Sequence, residues 1–329
     1  MTEKKDNRTP FQKHVTIRPT DVFDQRKVKG QFGIEIELEG EGLPLKAPPG
    51  WSTREEGSLR GPHCEYATNG SVPFEAVAEH VDSLSDYLSK NKVKIQESYR
   101  TSTHIHVNLQ QESFDTILGV LVVYYLVEPL FMKLASQGRD GNLFCLSSYD
   151  TGDAVEHFSN MVNSIKRTGG YYRFNSRGKY AAMNTDPIVH FGSFEFRMFP
   201  STLSGMRIQE WAEWIKNIVT IAREEKDKTF HTFTQNAMHN PLPIARCVFN
   251  TLPQHVFDRL PVEEYLKFGL ETSYEMMRLL RAAYKDKTKR TRKKKPNLDE
   301  ELLYFPDINE VNAQPVEQDE PEEDREEDL

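Results

Sequence analysis

Cysteine is scarce: Cys64, Cys145 and Cys247 are the only three in 329 residues, and no two form a CxxC pair. That spacing argues against a disulfide framework or a zinc knuckle, and a reducing, cytoplasmic setting is the expectation. Long hydrophobic runs are also missing. The longest, Ile117 to Val127, is too short to cross a bilayer, and Glu128-Pro129 interrupts its continuation. A buried helix, and no membrane partner, are therefore expected. Met1 to Asn7 are polar and lack the apolar stretch of a signal peptide. There is no internal repeat, and strand and helix patterns do not alternate regularly. An α+β class is expected rather than a doubly wound parallel sheet.

A large excess of charge of one sign is absent from most of the chain. The formal net charge is −8, but residues 285–295 hold eight Lys/Arg and one Asp, while residues 297–329 hold fourteen Asp/Glu and one Arg. Residues 1–284 are left at −2, so nothing there demands nucleic acid or a membrane surface. The basic run could meet phosphate, but the neighbouring carboxylates would compete for it, so a nucleic-acid partner is not expected. Three regions follow: a polar leader over 1–29, a catalytic domain over 30–284, and a basic linker with an acidic, disordered tail over 285–329.

What is present is a repeated strand pattern. Residues 31–39 alternate, with Phe32, Ile34, Ile36 and Leu38 on one parity and Glu35, Glu37 and Glu39 on the other. Residues 103–109 set Ile105, Val107 and Leu109 against His104, His106 and Asn108. Residues 193–199 set Phe194, Phe196 and Met198 against Glu195, Arg197 and Phe199. Helical spacing predicts helices over 74–90, about 113–136, about 153–166 with Val155, Phe158, Val162 and Ile165 inward, about 206–224, and between 254 and 284. Residues 40–73 read as loops with short strands.

Taken singly, each strand's polar parity is an ordinary solvent face. Three such strands in one chain shift the balance. Side chains two apart on a strand point the same way, about 7 Å apart. If the strands are neighbours, Glu35, Glu37, His104, His106, Glu195 and Arg197 converge. Clustered carboxylates repel one another, and divalent cations such as Mg²⁺ or Mn²⁺ relieve the repulsion. Arg197 beside them points to an anion, most simply a phosphate.

The ordered segments resemble the carboxylate–amine ligase superfamily that includes glutamine synthetase and γ-glutamylcysteine ligase, and most nearly its amidoligase branch, common in phages and bacteria. The residues are Gly33-x-Glu35-x-Glu37; Glu56-Gly57-Ser58-Leu59 with Glu65-Tyr66-Ala67-Thr68; Ser102 to Asn108; Arg177-x-Lys179-Tyr180 with Asn184; and Phe194-Glu195-Phe196-Arg197 followed by Thr202. The resemblance implies a mainly antiparallel curved sheet with a polar active-site face and helices on the other face. It implies ATP and Mg²⁺ or Mn²⁺. Glu35, Glu37, Glu65, His104 and Glu195 would be metal ligands. His106, Arg177, Lys179, Tyr180, Asn184 and Arg197 would face the nucleotide, with Arg197, Glu37 and Glu195 catalytic. Gly-rich stretches at 137–142 and 168–178 are candidate lids. One departure stands out: Glu56 occupies a position where the family often has Asp.

The implied activity is an ATP-dependent carbon–nitrogen ligase, which joins a small carboxylate to an amine through an acyl phosphate. The substrates could be an amino acid, a peptide or a peptidoglycan fragment. Two alternatives share the expected fold: a guanidino-type phosphotransferase and a non-catalytic binding protein. One expectation needs no fold. Residues from about 290 onward are too polar to offset their ordering entropy. Truncation after Lys295 should leave Tm nearly unchanged, and a large drop would show that the tail packs on the core.

Overall fold

The strand at residues 31–39 forms as the alternation predicts, and it is the centre of the molecule. In this computed structural model the described residues are 8–54, 57, 59–135, 142–143, 145–148, 154–168, 180–225, 236–237 and 239–285, and all fall in one compact unit. The strands are β1 (Phe32–Glu41), β2 (Trp51–Arg54), β3 (His63–Thr68), β4 (Lys94–Gln96), β5 (Ser102–Asn108), β6 (Met183–Asn184) and β7 (Ser193–Pro200). They form one seven-stranded antiparallel sheet in the order β2-β3-β1-β5-β7-β6, with β4 also paired to β1. The helices are α1 (Pro10–His14), α2 (Pro19–Val22), α3 (Val77–Lys90), α4 (Phe114–Ala135), α5 (Ala154–Thr168), α6 (Pro187–His190), α7 (Gly205–Glu225), α8 (Leu242–Val248), α9 (Gln254–Phe257) and α10 (Val262–Lys285). The fold is thus α+β, an open antiparallel sheet with packed helices.

Period-two alternation divides the sheet's two faces. Phe32, Ile34, Ile36, Ile105, Val107, Phe194 and Phe196 are all buried in the core. Helix α4 packs on β7, with the Tyr124 and Phe131 rings 5.4 and 6.2 Å from the Phe196 ring. Helices α7 and α10 cover α4. Burial all round is what its apolar sequence requires. Its 22 residues are long and apolar enough to cross a membrane, but here they form the central core helix. Gly269 of α10 lets the two helices approach closely, since a Cβ there would lie 2.0 Å from the Leu126 carbonyl oxygen.

Several expectations change. Phe199, expected on the parity of Glu195 and Arg197, is fully buried and stacks on Trp211 at 4.5 Å. The reason is a bulge: Ile105 pairs with Phe196 but Thr103 with Phe199, so β7 carries one extra residue there. The extra residue inverts the alternation and returns Phe199 to the core side. Val155 of α5 is half-buried, and Ala154 and Met161 join the buried stripe instead. Strand β4 and helix α8 are additional elements. The described part of the leader packs into the core: Phe11 and Val15 are buried, and the Phe11 ring lies 5.1 Å from that of Tyr284. The basic run beyond Lys285 and the acidic tail lie outside the described residues, as do residues 137–141 and 169–178 of the candidate lids.

One charge is buried in α4. Glu128 accepts hydrogen bonds from Tyr124 Oη at 3.0 Å, from the Ser148 amide at 3.0 Å, and from Ser148 Oγ. Residue 146, two positions earlier, donates to the Tyr180 carbonyl at 2.8 Å and accepts from the Ala182 amide at 2.7 Å. The Ala182 carbonyl in turn accepts from the Arg197 amide at 2.8 Å. Glu128 is thus the core anchor of a backbone chain that reaches β7. Glu128→Ala removes the acceptor that Ser148 and Tyr124 share, and chemical denaturation should show a loss of about 2–4 kcal/mol. Glu128→Gln, which keeps one acceptor oxygen, should lose less. A loss below about 0.5 kcal/mol for the alanine variant would show that the segment is held by other contacts.

Candidate active site

Strand order alone brings the candidate residues together. β1 lies between β3 and β5, and β7 lies beyond β5. In register, Glu37 faces Glu65, Glu35 faces His104, His106 faces Glu195, and Glu195 faces Asn184. Gly33 lies opposite His106, and its missing side chain leaves that stretch of the face open. The polar parity is not a solvent face: Glu37, Glu65, His104 and Glu195 are each 6% exposed or less.

His104 sits at the centre. Its Nδ1 lies 3.2 Å from Glu195 Oε1 and 3.4 Å from Glu35 Oε2. Its Nε2 lies 2.8 Å from Ser102 Oγ and 3.6 Å from Glu37 Oε1. Glu37 is held from the start of β5, accepting from the Ser102 amide at 2.9 Å and from Ser102 Oγ at 2.5 Å. On the far side, Asn184 Nδ2 donates to Glu195 Oε2 at 2.8 Å, and Arg197 Nη1 donates to Glu195 Oε1. His106 Nδ1 meets Ser193 Oγ at 3.2 Å, and its Nε2 lies 3.6 Å from Glu35 Oε1. His106 Nε2 and Arg197 Nε are buried without a hydrogen-bond partner among the described residues.

Two groups of side chains bring their ligand atoms within 4.8 Å of one another: Glu35, Glu65 and His104; and Glu35, His106 and Glu195. Glu35 belongs to both. Glu37, expected as a ligand, lies beside these groups with one oxygen tied to Ser102. His106, expected against phosphate, lies within the second. Carboxylate oxygens with an imidazole are the donor set of Mg²⁺ or Mn²⁺, so the residues fit a divalent cation. Tyr180 is half-exposed, and its carbonyl accepts from the residue 146 amide. Arg177, Lys179, Glu56 and Ser58 lie outside the described residues.

Two participants escaped sequence reasoning. Ser102 stood in the Ser102 to Asn108 motif but was given no role in the site. Arg54 ends β2, opposite Glu65, and its Nη1 reaches Glu35 Oε1 at 3.3 Å and Glu65 Oε1 at 3.7 Å. A four-residue strand among glycines and prolines is too short for its period to be read.

The electrostatics follow from burial and neighbours. Burial pushes the Glu65 carboxyl up to about 7, reinforced by nearby Glu35. Burial also acts to raise Glu35, but His104 and His106 outweigh it and hold the carboxyl well below the usual range. Glu195 is lowered against its burial by His104, His106 and Arg197. His106 is raised, since the Glu35 and Glu195 carboxylates outweigh its desolvation.

These directions set the stability of the metal-free protein. Glu65 binds its proton more tightly when folded, so its contribution is complete below about 4.5 and is lost as pH rises to about 7. The His106 contribution is likewise present below its unfolded value and lost as pH rises through its folded one. Glu35 and Glu195 contribute above the unfolded carboxylate value and lose stability as pH falls through their lowered ones. In chelator, Tm should therefore peak near pH 5 and fall toward pH 8. The Glu65 share is on the order of 2 kcal/mol. Glu65→Gln should flatten the limb between 4.5 and 7 and leave the acid limb. A wild-type Tm that is level from pH 5 to 8 would contradict this balance.

None of the curated proteins compared with the chain matches it. Residues 71–219 match the family model described as "Putative amidoligase enzyme". The match runs from the turn before α3 into α7, and it includes His104, His106, Asn184, Glu195 and Arg197. Glu35, Glu37, Arg54 and Glu65 precede it, yet occupy the same face of the same sheet. Over residues 71–219, the chain is thus similar to the amidoligase family.

Proposed function

We infer that this chain is an ATP-dependent carboxylate–amine ligase that forms an amide bond through an acyl phosphate. The family suggests ligase activity and ATP use. The observation that carries the reading is the carboxylate–histidine cluster centred on Glu35, beside Arg197 Nε, a buried donor with no hydrogen bond among the described residues. Such donors suit oxyanions, and such carboxylates suit hard cations.

A carboxylate is a poor electrophile until its oxygen is phosphorylated. Bound Mg²⁺ or Mn²⁺ would supply charge neutralisation between the attacking carboxylate and the phosphates. Glu35, Glu65, His104 and Glu195 would hold these ions, with Glu37 fixed beside them by Ser102. His106, whose imidazolium form its carboxylate neighbours favour, would donate to a phosphate oxygen. Arg197, oriented by Glu195, would stabilise the charge that builds on the transferring phosphoryl group. The substrate oxygen bonds to the γ-phosphorus as the bond to ADP breaks. The amine then attacks the acyl carbon, loses a proton, and phosphate departs. Water would hydrolyse the acyl phosphate, which is why the reaction suits a buried face. An amino acid, a peptide or a peptidoglycan fragment would be suitable substrates.

Calorimetry with Mn²⁺ in the presence of ATP should show a marked loss of binding in Glu35→Gln and Glu195→Gln. With a pool of carboxylates, hydroxylamine should trap a hydroxamate in step with ADP release. Arg197→Ala should lower turnover by about 10²–10³ with a smaller effect on ATP binding. Arg197→Lys should rescue it poorly, because lysine lacks the planar fork. A stable N-phosphorylated product would replace this reading with a phosphotransferase.

A further inference from the structure

Arg54 stands apart from the other charged groups of the site. His104, His106 and Arg197 are anchored on interior strands, and their side chains are 16% exposed or less. Arg54 is the last residue of the edge strand β2, and its side chain is 57% exposed. It lies in register with Glu65 and reaches diagonally to Glu35.

A single guanidinium nitrogen lies 3.3 Å from Glu35 Oε1 and 3.7 Å from Glu65 Oε1. Those two side chains, with His104, also form one of the groups able to hold a metal ion. An ion the size of Mn²⁺ binds carboxylate oxygens at about 2.0–2.2 Å. It would draw the two oxygens onto itself, and no room or charge balance would remain for a guanidinium between them. The arginine and the ion therefore compete for the same two carboxylates.

We propose that Arg54 is an internal counter-ion that holds the Glu35–Glu65 position in the metal-free protein and must swing out when a divalent cation loads. This rests on the metal-binding reading of the site given above. Two features make the exchange feasible. The side chain is solvated over more than half of its surface, so its ion pairs are weak and readily broken. It also projects from a strand edge, so it can leave without disturbing a ladder on its far side. Arg54 thereby limits the repulsion between the carboxylates before loading and lowers the apparent metal affinity by mass action.

The test is Mn²⁺ titration of the full chain by calorimetry in wild type, Arg54→Gln, Arg54→Lys, Glu35→Gln and Glu65→Gln, paired with Tm in chelator and in saturating Mn²⁺ at pH 8. Arg54→Gln should bind Mn²⁺ about three- to tenfold more tightly, the range expected for the ion pairs of one solvated arginine. Arg54→Lys should stay near wild type, because the competing charge remains. In chelator, Arg54→Gln should melt below wild type, and saturating Mn²⁺ should close the gap. Unchanged or weaker Mn²⁺ binding by Arg54→Gln, with Glu35→Gln and Glu65→Gln impaired as expected, overturns the counter-ion role and leaves the metal centre standing. If the glutamate variants bind Mn²⁺ as well as wild type, the metal reading fails and the counter-ion proposal fails with it.

Discussion

The buried charge cluster is the constraint on which the rest of the structure depends. Glu35, Glu37, Glu65 and Glu195 come from three strands, and three of the four are nearly inaccessible to water. Isolated carboxylates in such a place would cost several kcal/mol each. They are tolerated because each has an assigned partner. Glu37 has Ser102, Glu195 has Asn184 and Arg197, and Glu35 has His104 with Arg54. Glu65 is the least compensated, and its raised carboxyl records that deficit. The sites of ordinary stability and of function are therefore the same side chains, in opposition: what would bind a cation is what the neighbouring cationic side chains neutralise.

Holding this cluster in place is the work of the opposite face. Strand residues of opposite parity reach Phe131, Tyr124 and Trp211 across the aromatic layer between β7, α4 and α7. The bulge in β7 serves both faces. Glu195, before it, and Arg197, at its start, lie on the site side. Past it, Phe199 has rejoined the core, so one strand supplies the site at its start and the aromatic layer at its end. Glu128 adds a polar tie through Ser148, residue 146 and Ala182, which sets the segment before β6 against the Arg197 backbone. Asn184 follows within two residues of that contact.

Much of this was legible in the residues. Period-two alternation located β1, β5 and β7 and separated their core and polar parities, because a strand buried on one face has to alternate. Helical spacing located α3, α4, α5, α7 and α10. What could not be read has physical causes. The bulge that moves Phe199 depends on how β5 and β7 register, which alternation along one strand does not contain. Strand β2 is four residues long, so Arg54 had no period to mark it. The ties of Ser102 and Glu128 are made through single hydroxyls and amides, with no spacing signature. Proline-rich α8, with Pro241 and Pro243, breaks the pattern rule while obeying the rule that proline fits a first turn. The leader looked polar on average, yet two apolar residues, Phe11 and Val15, were enough to seat it in the core.

The family match and the site do not cover the same residues, and the difference is informative. The matched segment contributes both histidines, Glu195, Asn184 and Arg197. The preceding strands contribute Glu35, Glu37, Glu65 and Arg54. Neither set makes a site alone. The matched set is rich in donors and cations, with Glu195 as its carboxylate. The preceding set is rich in carboxylates, with Arg54 as its cation. The pairing of β1 with β5 joins them, placing Glu35 against His104 and Gly33 against His106. A slip of one residue in that pairing would turn every side chain of one strand to the other face. The alternating apolar residues Phe32, Ile34 and Ile36 forbid the slip, because it would place them on the charged face. The hydrophobic core thus sets the register, and the register sets which charges meet.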